Sequence, residues 1–148
     1  GQYSFFHGAH DLCMAFRLGT WSLLSRGEND VAEDTSLQYF GVRGAQWMRL
    51  RHIRSGKRLF FINHHGPLPL NSGGICGGSA TAYNLLKVIS TYALPGDAIL
   101  FAGDFNANPA SATIQSLAQR LHGVMQGVVD GGIDHIFTNA GLAASSET

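Results

Sequence analysis

Two short, continuous apolar runs, Leu59 to Ile62 and Ala98 to Ala102, constrain this chain more than any other feature. Runs this short, stopped by Gly and Pro, read as strands covered on both faces rather than as helices. The first ends at Asn63-His64-His65-Gly66-Pro67, where Gly and Pro stop the ladder. The second ends at Gly103-Asp104-Phe105-Asn106. Between them, Ser79 to Tyr92 spaces Ala82, Leu85, Leu86 and Ile89 at helical intervals, and Pro95-Gly96 closes that helix. Asn71 to Gly78 holds four glycines and reads as a linker, since it lacks the Lys and Ser/Thr of a phosphate-binding loop.

After the second strand, Asn108-Pro109 reads as a helix cap followed by proline at the first helical position. Ile114, Leu117, Ala118 and Leu121 form the apolar stripe of a second long helix. Residues 124 to 129 and 133 to 138 complete the pattern as strands around Asp130-Gly131-Gly132. Earlier in the chain, residues 12 to 17 and 20 to 25 read as a hairpin around Leu18-Gly19, and 26 to 36 as a polar, acidic loop. From Ala45 to Ile53 the residues alternate, with Met48 and Leu50 on one face and Arg49 and Arg51 on a wet one. Arg54-Ser55-Gly56-Lys57 makes the turn that follows. Hairpins followed by strand-helix-strand-helix-strand predict a mixed α/β layered domain.

A chain of 148 residues, 45% hydrophobic, suffices for one core and leaves no length for a second. Ten Lys and Arg balance ten Asp and Glu, so no global charge draws the protein to nucleic acid or an anionic membrane. The charges are uneven: Arg43 to Arg58 is basic and Glu28 to Asp34 acidic, which reads as two solvated surfaces. No run of 18 apolar residues exists to span a bilayer. Cys13 and Cys76 have no metal-ligand spacing and read either as one disulfide in an oxidising compartment or, the favoured reading, as buried thiols in a reducing one.

Three strand ends carry the chemistry. Asp104 and Asn106 leave a buried strand two residues apart, where α/β proteins place ligands. There a carboxylate can take a proton from water while a carboxamide donates to a phosphoryl oxygen. His64 and His65 sit in a turn, and in an extended chain they point apart, so at most one faces the same site as Asp104. Asp134, between Ile133 and His135, needs a partner because an unpaired buried carboxylate is costly.

From about Gln46 to Asn139, these motifs in this order resemble the endonuclease/exonuclease/phosphatase (deoxyribonuclease I-like) superfamily. Its sequence of features is a strand ending in Asn-x-His, a helix, a strand ending in Gly-Asp-Phe-Asn, a helix, and an Ile-Asp-x-Ile-Phe strand. The resemblance implies part of a four-layer α/β/β/α sandwich with mixed, largely antiparallel sheets. It implies a hydrolase of phosphate esters that uses Mg²⁺ or Mn²⁺. Under it His65 contacts the scissile phosphate, Asp104 orients or deprotonates the attacking water, and Asn106 binds phosphate and water, with Asp104 and Asn106 also the candidate metal ligands. Asp134 pairs with a second histidine, and Asn63 and His64 lie beside the substrate. The family's early Gln-Glu strand and its Ser-Asp-His ending do not occur among the 148 residues, and Glu28 and Glu33, read as loop residues, do not replace that Glu. The expectation is therefore a single partial domain over 1–148, inactive alone. The competing expectation is a phosphoesterase-like fold serving as a binding or structural subunit of a larger assembly.

Overall fold

Alternating side chains sort this chain into two sheets and a helical layer, in a computed structural model that describes residues 1–140. The small sheet is an antiparallel hairpin of β1 (Tyr3–His7) and β2 (Cys13–Arg17). The large sheet contains β3 (Trp21–Glu33), β4 (Val42–His52), β5 (Arg58–His65), β6 (Ala98–Asp104), β7 (His122–Gln126) and β8 (Asp134–Thr138). Its spatial order is β3-β4-β5-β6-β8-β7. Every pairing is antiparallel except β5 with β6, and a parallel neighbour needs a long crossover. Helix α1 (Gly78–Tyr92) supplies it, and the shorter α2 (Ala112–Ala118) follows β6.

The two faces of the large sheet are covered differently. On one, Ala45, Trp47, Phe60, Ile62, Phe101 and Phe137 meet Ala82, Leu85, Val88 and Ile89 of α1 and Ile114 and Leu117 of α2. Each of the large side chains among them contributes about 1.5–3 kcal/mol through burial. On the other, Met48 and Leu50 pack against Met14 and Phe16 of β2. Helices, large sheet and small sheet make three layers, matching α/β/β of the expected sandwich.

Several expectations change. Residues 12 to 25 do not form a hairpin: β2 pairs with β1 and β3 with β4, so Leu18-Gly19 carries the chain from one sheet to the other. The acidic stretch is strand up to Glu33, because β4 offers it a long antiparallel partner. The arginine side of β4 is wet only at Arg51, which is exposed; Arg49 instead donates to Asp97 at 2.6 and 3.0 Å, with Arg58 at 3.3 Å from the same carboxylate. Likewise Arg43 forms a bidentate pair with Asp34 at 2.9 and 2.8 Å. Asp34 also accepts from the amides of Phe40 and Leu68, tying the loop after β3 to the loop after β5. Both aspartate side chains are fully buried, so these charges are structural rather than solvated. Helix α2 is only seven residues long and is capped by Ser111, whose Oγ accepts from the Ile114 amide, while Asn108 caps a preceding turn. Cys13 and Cys76 are exposed free thiols, not buried ones.

Candidate active site

Strand pairing assembles a polar row on the face of the large sheet that turns away from the helices. Asp134 on β8 lies opposite Asp104 on β6, and Asp104 opposite His65 on β5. Asn63 shares their face two residues before His65, and its cross-strand partner is Gln46 on β4. His65 Nε2 lies 3.9 Å from Asp104 Oδ2, and both side chains are about two-fifths exposed, open to a ligand.

Local backbone geometry fixes the Asp104 end. Asp104 Oδ1 accepts from the Asn106 amide at 2.9 Å, leaving Oδ2 free towards His65. Asn106 itself has φ +48°, a conformation that Asn tolerates better than most residues. Its Nδ2 donates to Gly66 O at 2.8 Å, and its carbonyl accepts from Asn71 N at 2.7 Å. Asn106 is buried, so it binds the loops after β5 and β6 together and has its Oδ1 left for other partners. Gly66 permits this closure, because a Cβ there would overlap the Phe105 carbonyl.

His64 does not join the row. It points to the helix face, where it is fully buried against Phe105, and its Nδ1–H donates to Gly44 O at 2.8 Å. Burial pushes its pKa down to about 4, outweighing that hydrogen bond, so the ring is neutral at physiological pH. Its Nε2 has no hydrogen-bond partner among the described residues. His135 shares that face and donates from Nε2 to Ala107 O at 2.9 Å. Alternation along β5 and β8 thus separates His65 from His64 and Asp134 from His135.

Glu28, expected in a loop, and Asp30 instead occupy the β3–β4 end of the same face. Glu28 lies opposite Gln46 and Asp30 opposite Gly44, and Glu28 and Asp30 alternate as strand residues do. Glu28 Oε2 accepts from Ala9 N at 2.8 Å, Gln46 Nε2 donates to Phe6 O at 2.9 Å, and His10 Nε2 bonds Asp30 Oδ1 at 2.9 Å. The period-two spacing of the two acids was the available signal. Among the described residues no three His, Cys, Asp or Glu side chains converge as a metal-binding group.

By sequence, no family model and no curated protein matches the chain. Solved structures do. The endonuclease/exonuclease/phosphatase from Bacteroides vulgatus superposes with a TM-score of 0.74 at 16% identity, covering 92% of this chain and 64% of that one. A mannosyl-6-phosphatase from Bacteroides thetaiotaomicron gives 0.70 at 16% identity, covering 92% of this chain and 62% of that one. The human Nocturnin catalytic domain, with a bound sulfate anion, gives 0.67 at 17% identity, covering 93% of this chain and 60% of that one. Identities this low establish shared architecture rather than shared activity. This chain has the fold of the endonuclease/exonuclease/phosphatase proteins, and it spans about three-fifths of their length.

Proposed function

We propose that the protein hydrolyses a phosphate ester, mono- or diester, by in-line attack of water at the polar row. The observation that carries this reading is that Asp134, Asp104 and His65 occupy adjacent strands in register, on one face and partly open to solvent. A neighbour in fold that is a mannosyl-6-phosphatase supports the same class of substrate.

In this reading Asp104 Oδ2 orients water and takes its proton, while the Asn106 amide holds Oδ1 and fixes the carboxylate plane. His65 donates to a non-bridging oxygen as charge builds there, and Asn63 and the Oδ1 side of Asn106 hold the phosphoryl group and its water. A divalent cation such as Mg²⁺ or Mn²⁺ neutralises phosphoryl charge in enzymes of this chemistry. Asp104 and Asp134 are the two carboxylates at the centre of the row, and with Asn106 they fall short of a complete ligand set, so no step here runs through a metal. With equal numbers of acidic and basic residues, small phosphate esters fit no worse than nucleic acid.

Asp104→Asn keeps the shape and most hydrogen bonds but removes the base. Assayed on an aryl phosphate ester with Mg²⁺ or Mn²⁺ present, and again with EDTA, it should lose at least about 10²-fold in kcat/KM relative to wild type. Equal activity in the variant would remove Asp104 from the chemistry. A wild-type protein without phosphoesterase activity would assign the fold to a binding subunit instead.

A further inference from the structure

The loop between β1 and β2 puts one more histidine beside this row, and nothing in the proposed chemistry yet uses it. Gly8 N bonds Leu12 O at 3.0 Å, and the bonds from Ala9 to Glu28 and from Gln46 to Phe6 fasten the loop and its strand to the large sheet. The loop delivers the His10 ring onto Gly44, where a Cβ would stand 2.5 Å from the ring's Cδ2. Gly44 needs no special backbone angle, so its missing side chain serves the ring.

Register locates the ring. Gly44 is opposite Asp30 on one side, and one step past the Ala45–His64 pair it faces His65 on the other. Across the sheet the face therefore reads Asp30, His10 over Gly44, His65, Asp104, Asp134. Two strand spacings, about 9–10 Å, separate the Asp104 and Gly44 backbones. An in-line O–P–O axis with a hydrogen bond at each end spans such a gap.

Resting on the phosphoesterase reading above, we propose that His10 is the proton donor to the leaving group, and that the substrate is an ester of an aliphatic alcohol. The Asp30 carboxylate accepts from Nε2–H at 2.9 Å, which fixes the ring and leaves Nδ1 for the substrate. Water attacks phosphorus as its proton passes to Asp104. The bond from phosphorus to the alcohol oxygen breaks, its electron pair stays on that oxygen, and the oxygen takes the proton from His10 Nδ1. Solvent then removes the proton from Asp104 and returns one to His10. The other titratable groups facing the ring are Glu28 on β3 and His65 on β5, with Asp11 beside it in the loop; β4 presents Gly44 and the neutral Gln46. An alkoxide needs such a donor and a nitrophenolate does not, which ties the dyad to the substrate class.

The test compares matched alkyl and p-nitrophenyl phosphate esters with the protein at its natural length. His10→Ala should lose at least about 10²-fold in kcat/KM on the alkyl ester and only a few-fold on the aryl ester. Gly44→Ala, which displaces the ring without touching its chemistry, should show the same selective loss, as should Asp30→Asn to a smaller degree. Free imidazole should restore alkyl turnover to His10→Ala. Equal losses on both esters, or no loss on either, would overturn the donor role, and a Gly44→Ala protein with normal selectivity would do the same. Two controls separate this proposal from the reading it rests on: a wild-type protein that turns over neither ester overturns the phosphoesterase reading itself, and an Asp104→Asn protein unaffected on both esters removes Asp104 from the chemistry, whatever His10 does.

Discussion

The two faces of β5 and β8 carry the same residue types to different ends. On the helix face His64 and His135 are buried, and each spends its ring N–H on a backbone carbonyl. On the opposite face, one residue away in each strand, His65 and Asp134 stand with Asp104 in a row that solvent reaches. Asp34 and Asp97 follow the first pattern, fully buried and each gripped by a guanidinium. The residue type says little about role. Which side of the pleat it occupies, and whether its polar atoms are already satisfied, says much more.

That contrast predicts that buried ionisable groups set stability and the open row sets activity. The largest effect should come from Asp97→Ala, which strands Arg49 without its counter-ion. Chemical denaturation should show a loss of about 3–5 kcal/mol, while activity per folded molecule stays within a few-fold. If that variant instead kept its stability and lost turnover, the division between faces would be wrong.

Acid should act through the helix face in two windows. The folded-state pKa of His64 is held down to about 4 by burial, against an ordinary 6.5. The unfolded chain therefore binds a proton first, and stability should fall as pH drops from about 6.5 to 4, by on the order of 3 kcal/mol. Burial alone would raise the pKa of Asp97 and Asp34, but their arginines and backbone amides hold both below the ordinary value. Their contribution is present above pH 4 and lost below it as the carboxylates protonate. Denaturation midpoints across pH 3–7 read both windows, and a flat profile above pH 4 would mean that His64 is not buried neutral.

On the open face, His65→Ala should cost about 10²-fold in kcat/KM, equivalent to ~2.7 kcal/mol of transition-state stabilisation, with stability nearly unchanged. Steady-state kinetics beside a thermal melt separates the two. Smaller still is the effect of Ser111→Ala, which removes the α2 cap on the helix side. A loss of about 1 kcal/mol in stability with normal turnover is expected, and Asn108→Ala should cost less because Asn108 caps only a turn.

Much of this division was legible in the residues. The apolar runs into Asn63-His64-His65 and Gly103-Asp104-Phe105-Asn106 announced two central strands with chemistry at their ends, and period-two geometry allowed only one of the paired histidines to face Asp104. It is the Asp104–His65 pairing that selects His65, and that is a non-local fact. The β3 end was not legible for the same reason. Residues 26 to 33 look like a loop because their polar side chains find partners only after β4 and the β1–β2 loop arrive. His10, in a Gly-Ala-His-Asp turn, has no local signal at all. It enters the face because Gly44, 34 positions later in the chain, leaves room for its ring. The buried arginines were missed because a short basic stretch reads as surface until Asp34 and Asp97 are seen behind it.

The most direct test of the two-face account is a titration of the ¹⁵N-labelled protein with inorganic phosphate, followed through its imidazole resonances. The account predicts saturable shifts at His65, with His64 and His135 unmoved. Shifts at His64 or His135 with His65 silent would contradict it and move the site to the other side of the sheet.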